Sequence, residues 1–208
     1  MTMTTEIELK LKIDPADVNL LLQQPVLIAA GEPHRRLLVS RYFDTPALEL
    51  MARHAALRVR RIGQQWIQTV KIGGTAVNGL HTRPEWEIPV PDDQPHPELF
   101  TEPAVRAVLQ EHITSRLQAV FQTEFWRSTW LIDFHDSRIE VALDQGEVGS
   151  LRRSEPICEV ELELKSGNAE ALTALADLLS RHIALMPDSV SKAQRGYALY
   201  RAQHAISS

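Results

Sequence analysis

Stretch after stretch of this chain alternates between charged and apolar residues, and this limits sharply how its strands can pack. The first stretch is Glu6-Ile7-Glu8-Leu9-Lys10-Leu11-Lys12-Ile13, apolar at every odd position and charged at every even one. A period of two marks a strand whose two faces meet different surroundings. The same grammar recurs in Leu57-Arg58-Val59-Arg60, in Thr69-Val70-Lys71-Ile72, and from Arg83 through Glu85 and Glu87 to Ile88. It returns in the run from Phe125 to Ile132 that holds Arg127, in Glu140-Val141-Ala142-Leu143-Asp144, and in Glu159-Val160-Glu161-Leu162-Glu163-Leu164-Lys165. Adding Leu37 to Phe43 brings the candidate strands to about eight.

Helical signals interrupt the strands. Asp14 before Pro15 is an N-cap followed by a favoured first-turn proline. Asn168 opens a longer helix with Leu172, Leu175, Leu178, Leu179 and Ile183 on one face. The segments 103–121 and 191–203 also read as helix, and the prolines between Pro89 and Pro103 mark a long loop. Tyr42-Phe43-Asp44 ends a strand at the Thr45-Pro46 turn, a structural role.

In an ordinary antiparallel sheet the charged face meets water. Three features oppose that here. Charged faces occur on most strands, yet the Asn168 helix has an apolar face that needs a partner. The charges are sorted, with acids at 159, 161 and 163 and arginines at 58 and 60, whereas solvated faces intersperse the signs. Arg and Glu side chains cannot fill a dry core, because an unpaired buried charge costs several kcal/mol. An inverted arrangement satisfies all three. The expected fold is α+β, an eight-stranded antiparallel β-barrel tunnel with a charged lumen and helices packed on its outside. Eight strands enclose room for side chains and one small ligand. Carboxylates together with guanidinium groups suit a polyphosphate that arrives with divalent cations.

Composition narrows the partners. With 22 Lys plus Arg against 27 Asp plus Glu, the chain carries a net charge of −5, which opposes a broad nucleic-acid-binding face. No apolar run approaches the roughly 20 residues of a membrane span, and no secretory signal opens the chain. A lone Cys158 fits a reducing cytoplasm. The histidines, at 34, 54, 81, 96, 112, 135, 182 and 204, show no metal-ligand spacing.

Glu6-Ile7-Glu8-Leu9-Lys10 matches the ExExK signature of the CYTH superfamily, the triphosphate tunnel metalloenzymes. The pieces that follow keep that family's order: Tyr42 to Thr45, Leu57 to Arg60, Thr69 to Lys71, His81 to Glu87, Arg127, Glu140 to Glu147, Cys158 to Leu164, and Ser191-Lys192 with Arg195-Gly196-Tyr197. The chain most resembles the catalytic domain of bacterial inorganic triphosphatases. It reads as a single CYTH domain over residues 1–208, the C-terminal CHAD domain common in such proteins being absent or removed.

The resemblance implies metal-dependent hydrolysis of inorganic triphosphate to pyrophosphate and phosphate, with Mg²⁺ or Mn²⁺ as cofactor. The partner is a small polyanion, tripolyphosphate or a nucleoside triphosphate. By motif position, Glu6, Glu8, Asp144, Glu159 and Glu161 are the expected metal ligands. Lys10, Arg58, Arg60, Lys71, Arg83, Arg127 and Lys192 are the expected phosphate ligands, with Glu161 and Lys192 at the chemistry. Glu85, Glu87, Glu163 and Lys165 also point inward by alternation, as tunnel-wall ion pairs or as part of the site. Two enzyme alternatives, class IV adenylate cyclase and thiamine triphosphatase, require base-recognising features that no motif supplies. A non-catalytic polyphosphate-binding module would not need so many acids.

Overall fold

The structure, a computed structural model, describes residues 3–150 and 153–204. The chain begins with β1 (Met3–Lys12), α1 (Val18–Leu22), α2 (Pro25–Ala29), β2 (His34–Asp44) and α3 (Glu49–Ala52). Next come β3 (Ala55–Ile62), β4 (Gln65–Ile72), β5 (Thr75–Val77), β6 (Leu80–Val90), α4 (Pro103–Val108) and α5 (Glu111–Thr114). Then follow β7 (Gln118–Phe134), β8 (Ser137–Ser150), β9 (Arg153–Ser166), α6 (Glu170–Leu179), β10 (Met186–Pro187) and α7 (Lys192–His204).

Eight strands close on themselves in the order β1-β9-β8-β7-β2-β3-β4-β6 and back to β1. Every pairing is antiparallel. Strand β1 joins the two ends, with Lys10 opposite Glu161 on β9 and Glu6 opposite Arg83 on β6. Closure leaves the main strands no free edge. Two short strands that the alternation did not announce, β5 and β10, flank β6 and β1.

Outward faces are apolar, as the alternation requires. Leu9 and Leu11 of β1, Val141 and Leu143 of β8, and Val160 and Leu162 of β9 lie beneath Leu172, Leu175 and Leu179 of α6. Burying each such side chain contributes about 1.5–3 kcal/mol. On the other side, Leu57, Val59, Val70, Trp86 and Ile88 pack under Phe100, Val105 and Ile113 of the proline-rich loop, α4 and α5. Asn168 Oδ1 accepts from the Glu170 N–H just ahead of α6, and Asp14 Oδ1 accepts from the Ala16 N–H, capping the 3-10 turn Pro15–Asp17 that leads into α1. Among the described residues, no helix is long and apolar enough to cross a membrane.

The helix expected over 103–121 is a correction. It divides into α4 and α5 and gives way to β7 at Gln118. Gln118 and Ala119 pair with Asp44 and Phe43 at the end of β2. Phe121 stacks on Tyr42 at 4.4 Å between ring centroids. Helix propensity is a weak prior that such packing overrides.

Helix α7 is placed differently from the helices on the outer wall. Leu38, Tyr42, Phe121, Phe125, Val148 and Ile157 point inward at one end of the barrel, and Tyr197, Leu199 and Tyr200 of α7 cover them. This helix closes off part of that end and aims its first residue, Lys192, into the lumen. The fit depends on Gly196, where an added Cβ would lie 2.1–2.6 Å from the Phe121 ring. Overpacking of this kind costs about 1–3 kcal/mol. Gly196→Ala is therefore expected to lower the melting temperature by several degrees in a thermal scan, at roughly 2–4 °C per kcal/mol for a chain of this size. An unchanged melting temperature would contradict this packing.

Candidate active site

The barrel register sets the charged positions side by side on the inner wall. Glu159 lies beside Asp144, Asp144 beside Arg127, Tyr42 beside Arg58, Ser40 beside Arg60, and Lys71 beside Glu85. They surround a central cavity of about 90 Å³, space for a few waters at roughly 30 Å³ each. Of the expected residues, Glu6, Glu8, Lys10, Arg58, Arg60, Lys71, Arg83, Arg127, Glu161 and Lys192 line it directly. Asp144 and Glu159 lie just behind, bonded to its wall.

The expected acids form two groups. Asp144, Glu159 and Glu161 are all buried, and one carboxylate oxygen from each lies within 4.8 Å of the others. The Lys192 ammonium sits among them, 2.6 Å from Asp144 Oδ2, 2.7 Å from Glu161 Oε1, and in contact with Glu159 Oε1. Arg127 grips Asp144 with two N–H donors at 2.7 and 2.6 Å and also contacts Glu161. Burial opposes the Glu161 charge, but Lys192 and Arg127 outweigh it and hold the carboxyl well below the usual range. The same acids raise Lys192 and Arg127 above their ordinary values despite burial.

Glu6 and Glu8 stand apart on β1. Glu6 pairs with Lys71 at 2.5 Å and with Arg83 at 3.7 Å, and Glu8 lies 3.9 Å from Arg83. Burial, with Glu161 and Glu6 close by, pushes Glu8 up to about 8.

Most basic residues of the opposite wall have counter-ions. Arg58 meets Glu85 at 3.3 Å and Glu87 at 3.4 Å, and Lys71 meets Glu85 at 3.2 Å. Glu163 and Glu140 flank Lys165 at 2.7 and 3.5 Å near the opposite mouth. Arg60 differs: its Nε donates to Ser40 Oγ at 2.8 Å, and among the described residues no carboxylate lies within 4.0 Å of it. Burial and the neighbouring Arg58 guanidinium pull it down to about 9, so it stays charged at neutral pH. Lys10 is 1% exposed and turned from the cavity centre towards Glu159 at 3.2 Å, Asp188 at 3.6 Å and the Val190 carbonyl.

Several further neighbours complete the site. The Tyr42 ring, assigned by sequence to a structural turn, lines the cavity. Burial resists ionisation of its phenol, yet Arg58, Arg60, Lys71 and Lys192 pull it below its usual value. His81 is buried with Nε2 3.0 Å from the Asp188 carbonyl and Nδ1 2.8 Å from Arg83, so it ties the loop before α7 to the basic wall. Its signal was the shared parity of 81, 83, 85 and 87. Asp188 had no signal, because it is local to neither partner. Arg36 is opposite Arg127 in the β2–β7 register, which puts another cation on the inner face.

Comparison with known proteins agrees with this geometry. Over 200 residues the chain is 36% identical to an inorganic triphosphatase of Haemophilus influenzae, covering 95% of this chain and 55% of that protein. The chain thus spans about half the length of that curated relative. A solved Hippeastrum structure, of a candidate adenylyl cyclase described as having a dominant triphosphatase activity, matches with a TM-score of 0.64. Its identity is 19%, over 95% of this chain and 96% of that one. A candidate adenylate cyclase from Bacillus halodurans matches with a TM-score of 0.62 at 20% identity, over 94% and 98% of the two chains. At these identities the two structures speak for the fold. Residues 4–197 match the family model of the CYTH domain, and with its charged eight-stranded tunnel the chain belongs to the CYTH family.

Proposed function

We propose that the chain hydrolyses inorganic triphosphate to pyrophosphate and phosphate inside the barrel, using a divalent cation, Mg²⁺ or Mn²⁺. One observation carries this reading: the Arg60 guanidinium, which among the described residues has no carboxylate within 4.0 Å, lines a small cavity together with Glu161, one acid of a buried three-carboxylate cluster. A partly buried cation without a carboxylate partner invites an anion, and hard carboxylate oxygens around one point suit a hard divalent cation. That an ammonium already rests among the three acids supports the fit. The 36% identity to an inorganic triphosphatase supports the substrate class.

Asp144, Glu159 and Glu161 would hold the cation, with Glu6 and Glu8 available one step along the wall. A bound divalent ion would supply positive charge to the phosphate oxygens and make a bound water more acidic. The protein's own part is mainly positioning and charge neutralisation, which phosphoryl transfer chiefly requires. Arg58 and Arg60 present planar forks to phosphate oxygens, while Lys71 and Lys192 act as point charges. Arg83 closes the wall next to Glu6. Lys10 bears on the substrate through Glu159, and Tyr42 can donate its phenolic hydrogen to a phosphate oxygen. Glu85 and Glu87 hold Arg58 upright between turnovers.

Phosphate release should be measured from tripolyphosphate, ATP, thiamine triphosphate and pyrophosphate, each with Mg²⁺, Mn²⁺ or chelator. Fast release from tripolyphosphate, abolished by chelator, is the expected result. Cyclic AMP formed from ATP would replace this reading with a cyclase, and binding without turnover would replace it with a polyphosphate-binding module. Arg60→Ala should raise KM for tripolyphosphate about 10–100-fold, the equivalent of a charged hydrogen bond of about 1.5–3 kcal/mol. An unchanged KM would remove Arg60 from the substrate.

A further inference from the structure

The acidic cluster already shares a cation, and that cation is a side chain. Lys192 Nζ is within ion-pairing distance of Asp144, Glu159 and Glu161 together. Oxygens of those residues lie within 4.8 Å of one another, so they enclose a single central point, which the ammonium holds. The other cations nearby approach from the edges. Arg127 reaches Asp144 and Glu161, whereas Lys10 at 3.2 Å and Arg195 at 4.0 Å reach Glu159. Of these cations, Lys192 alone touches all three acids.

A divalent ion and an ammonium cannot share that point, because like charges a few ångströms apart repel strongly in a buried site. We propose that Lys192 is the resident counter-cation of the cluster. A divalent ion must displace it from the three carboxylates, and the displaced ammonium then turns into the phosphate cavity whose wall it already lines. This rests on the reading of the cluster as a divalent-cation site. The local structure allows it. Ser191 Oγ accepts from the Gln194 N–H and Gln194 Oε1 accepts from the Ser191 N–H, a reciprocal cap that fixes the backbone at the start of α7. The four-carbon stem of Lys192 can therefore swing while its anchor stays put. Two consequences follow. The buried acids are compensated before any metal binds, so the barrel folds without one. Cation loading also delivers Lys192 to the phosphate chain, so the positive clamp becomes complete only when the cation is present.

The test is Mn²⁺ binding without substrate, by titration calorimetry and by electron paramagnetic resonance of free Mn²⁺, on the wild-type chain, Lys192→Gln and Lys192→Arg. Lys192→Gln should bind Mn²⁺ at least about tenfold more tightly, one decade being about 1.4 kcal/mol. Lys192→Arg, which keeps the charge, should stay near the wild-type affinity. Without metal, Lys192→Gln should melt below wild type, and Mn²⁺ should restore more of its stability. A second measurement needs no variant: amine-selective labelling of the wild-type chain, read by mass spectrometry, should find Lys192 protected alone and reactive once Mn²⁺ is added. Equal Mn²⁺ affinity in wild type and Lys192→Gln, or labelling of Lys192 that Mn²⁺ leaves unchanged, overturns the displacement while leaving the cation site standing. No Mn²⁺ binding by any of the proteins overturns the cation site and the displacement together.

Discussion

Glu161→Gln is expected to reduce tripolyphosphate turnover on the order of 10³-fold, the scale on which loss of one preorganised charge contact at a reacting centre is felt. Glu161 is the acid that both lines the central cavity and belongs to the buried cluster. It contacts both Lys192 and Arg127. Its neutral isostere therefore weakens the cation cluster and loosens two basic groups at once. The substitution should spare the fold, because Lys192 keeps Asp144 and Glu159 and Arg127 keeps its paired bonds to Asp144. Phosphate release under saturating Mn²⁺, beside a thermal scan, separates the two effects. Turnover within about threefold of wild type, in a folded variant, would falsify the assignment of Glu161 to the chemistry.

Asp44→Asn is expected to produce the largest loss of stability. Asp44 is fully buried at the end of β2, where Oδ1 accepts from the Thr45 and Leu50 N–H groups at 2.7 and 2.9 Å and Oδ2 accepts from Met51 at 2.9 Å. It thereby ties the strand to the start of α3. It also faces Tyr197 of α7, whose phenol burial and the Asp44 charge push well above its usual value. An asparagine offers one acceptor oxygen, so its amide nitrogen must confront at least one buried N–H. An unpaired buried donor costs about 1–3 kcal/mol, and the confrontation of two donors puts the expected loss near the upper end. At roughly 2–4 °C per kcal/mol, the melting temperature should fall by about 5–10 °C. Activity measured well below that temperature should persist, since Asp44 does not line the cavity. A melting temperature within about 1 °C of wild type would show that the α3 start is held by other bonds.

The inner wall was legible because a strand repeats every two residues. Once Leu9 and Leu11 are assigned to the outside, Glu6, Glu8 and Lys10 have to face the lumen, and the same holds for Glu159 and Glu161 around Val160. Boundaries were less legible. Val120 and Phe121 suit a helix or a strand, and only the pairing of Ala119 with Phe43 and the stacking of Phe121 on Tyr42 decide for β7. The sorting of the acids was hidden as well. Five carboxylates expected to act as one ligand set divide into a cluster around Lys192 and a pair beside Arg83, because β1 and β9 are offset along the barrel wall.

From the sequence alone came the inverted barrel and its charged lumen, consequences of local periodicity and of the cost of burying unpaired charge. Tertiary structure decided which charges meet. It brought Lys192, from the far end of the chain, to Asp144, Glu159 and Glu161. It left Arg60, among the described residues, with no carboxylate partner, and set Tyr42 between Arg58 and α7. Those outcomes depend on where distant strands come into register around a closed ring. No local pattern encodes that, because it is fixed by the packing of the whole barrel.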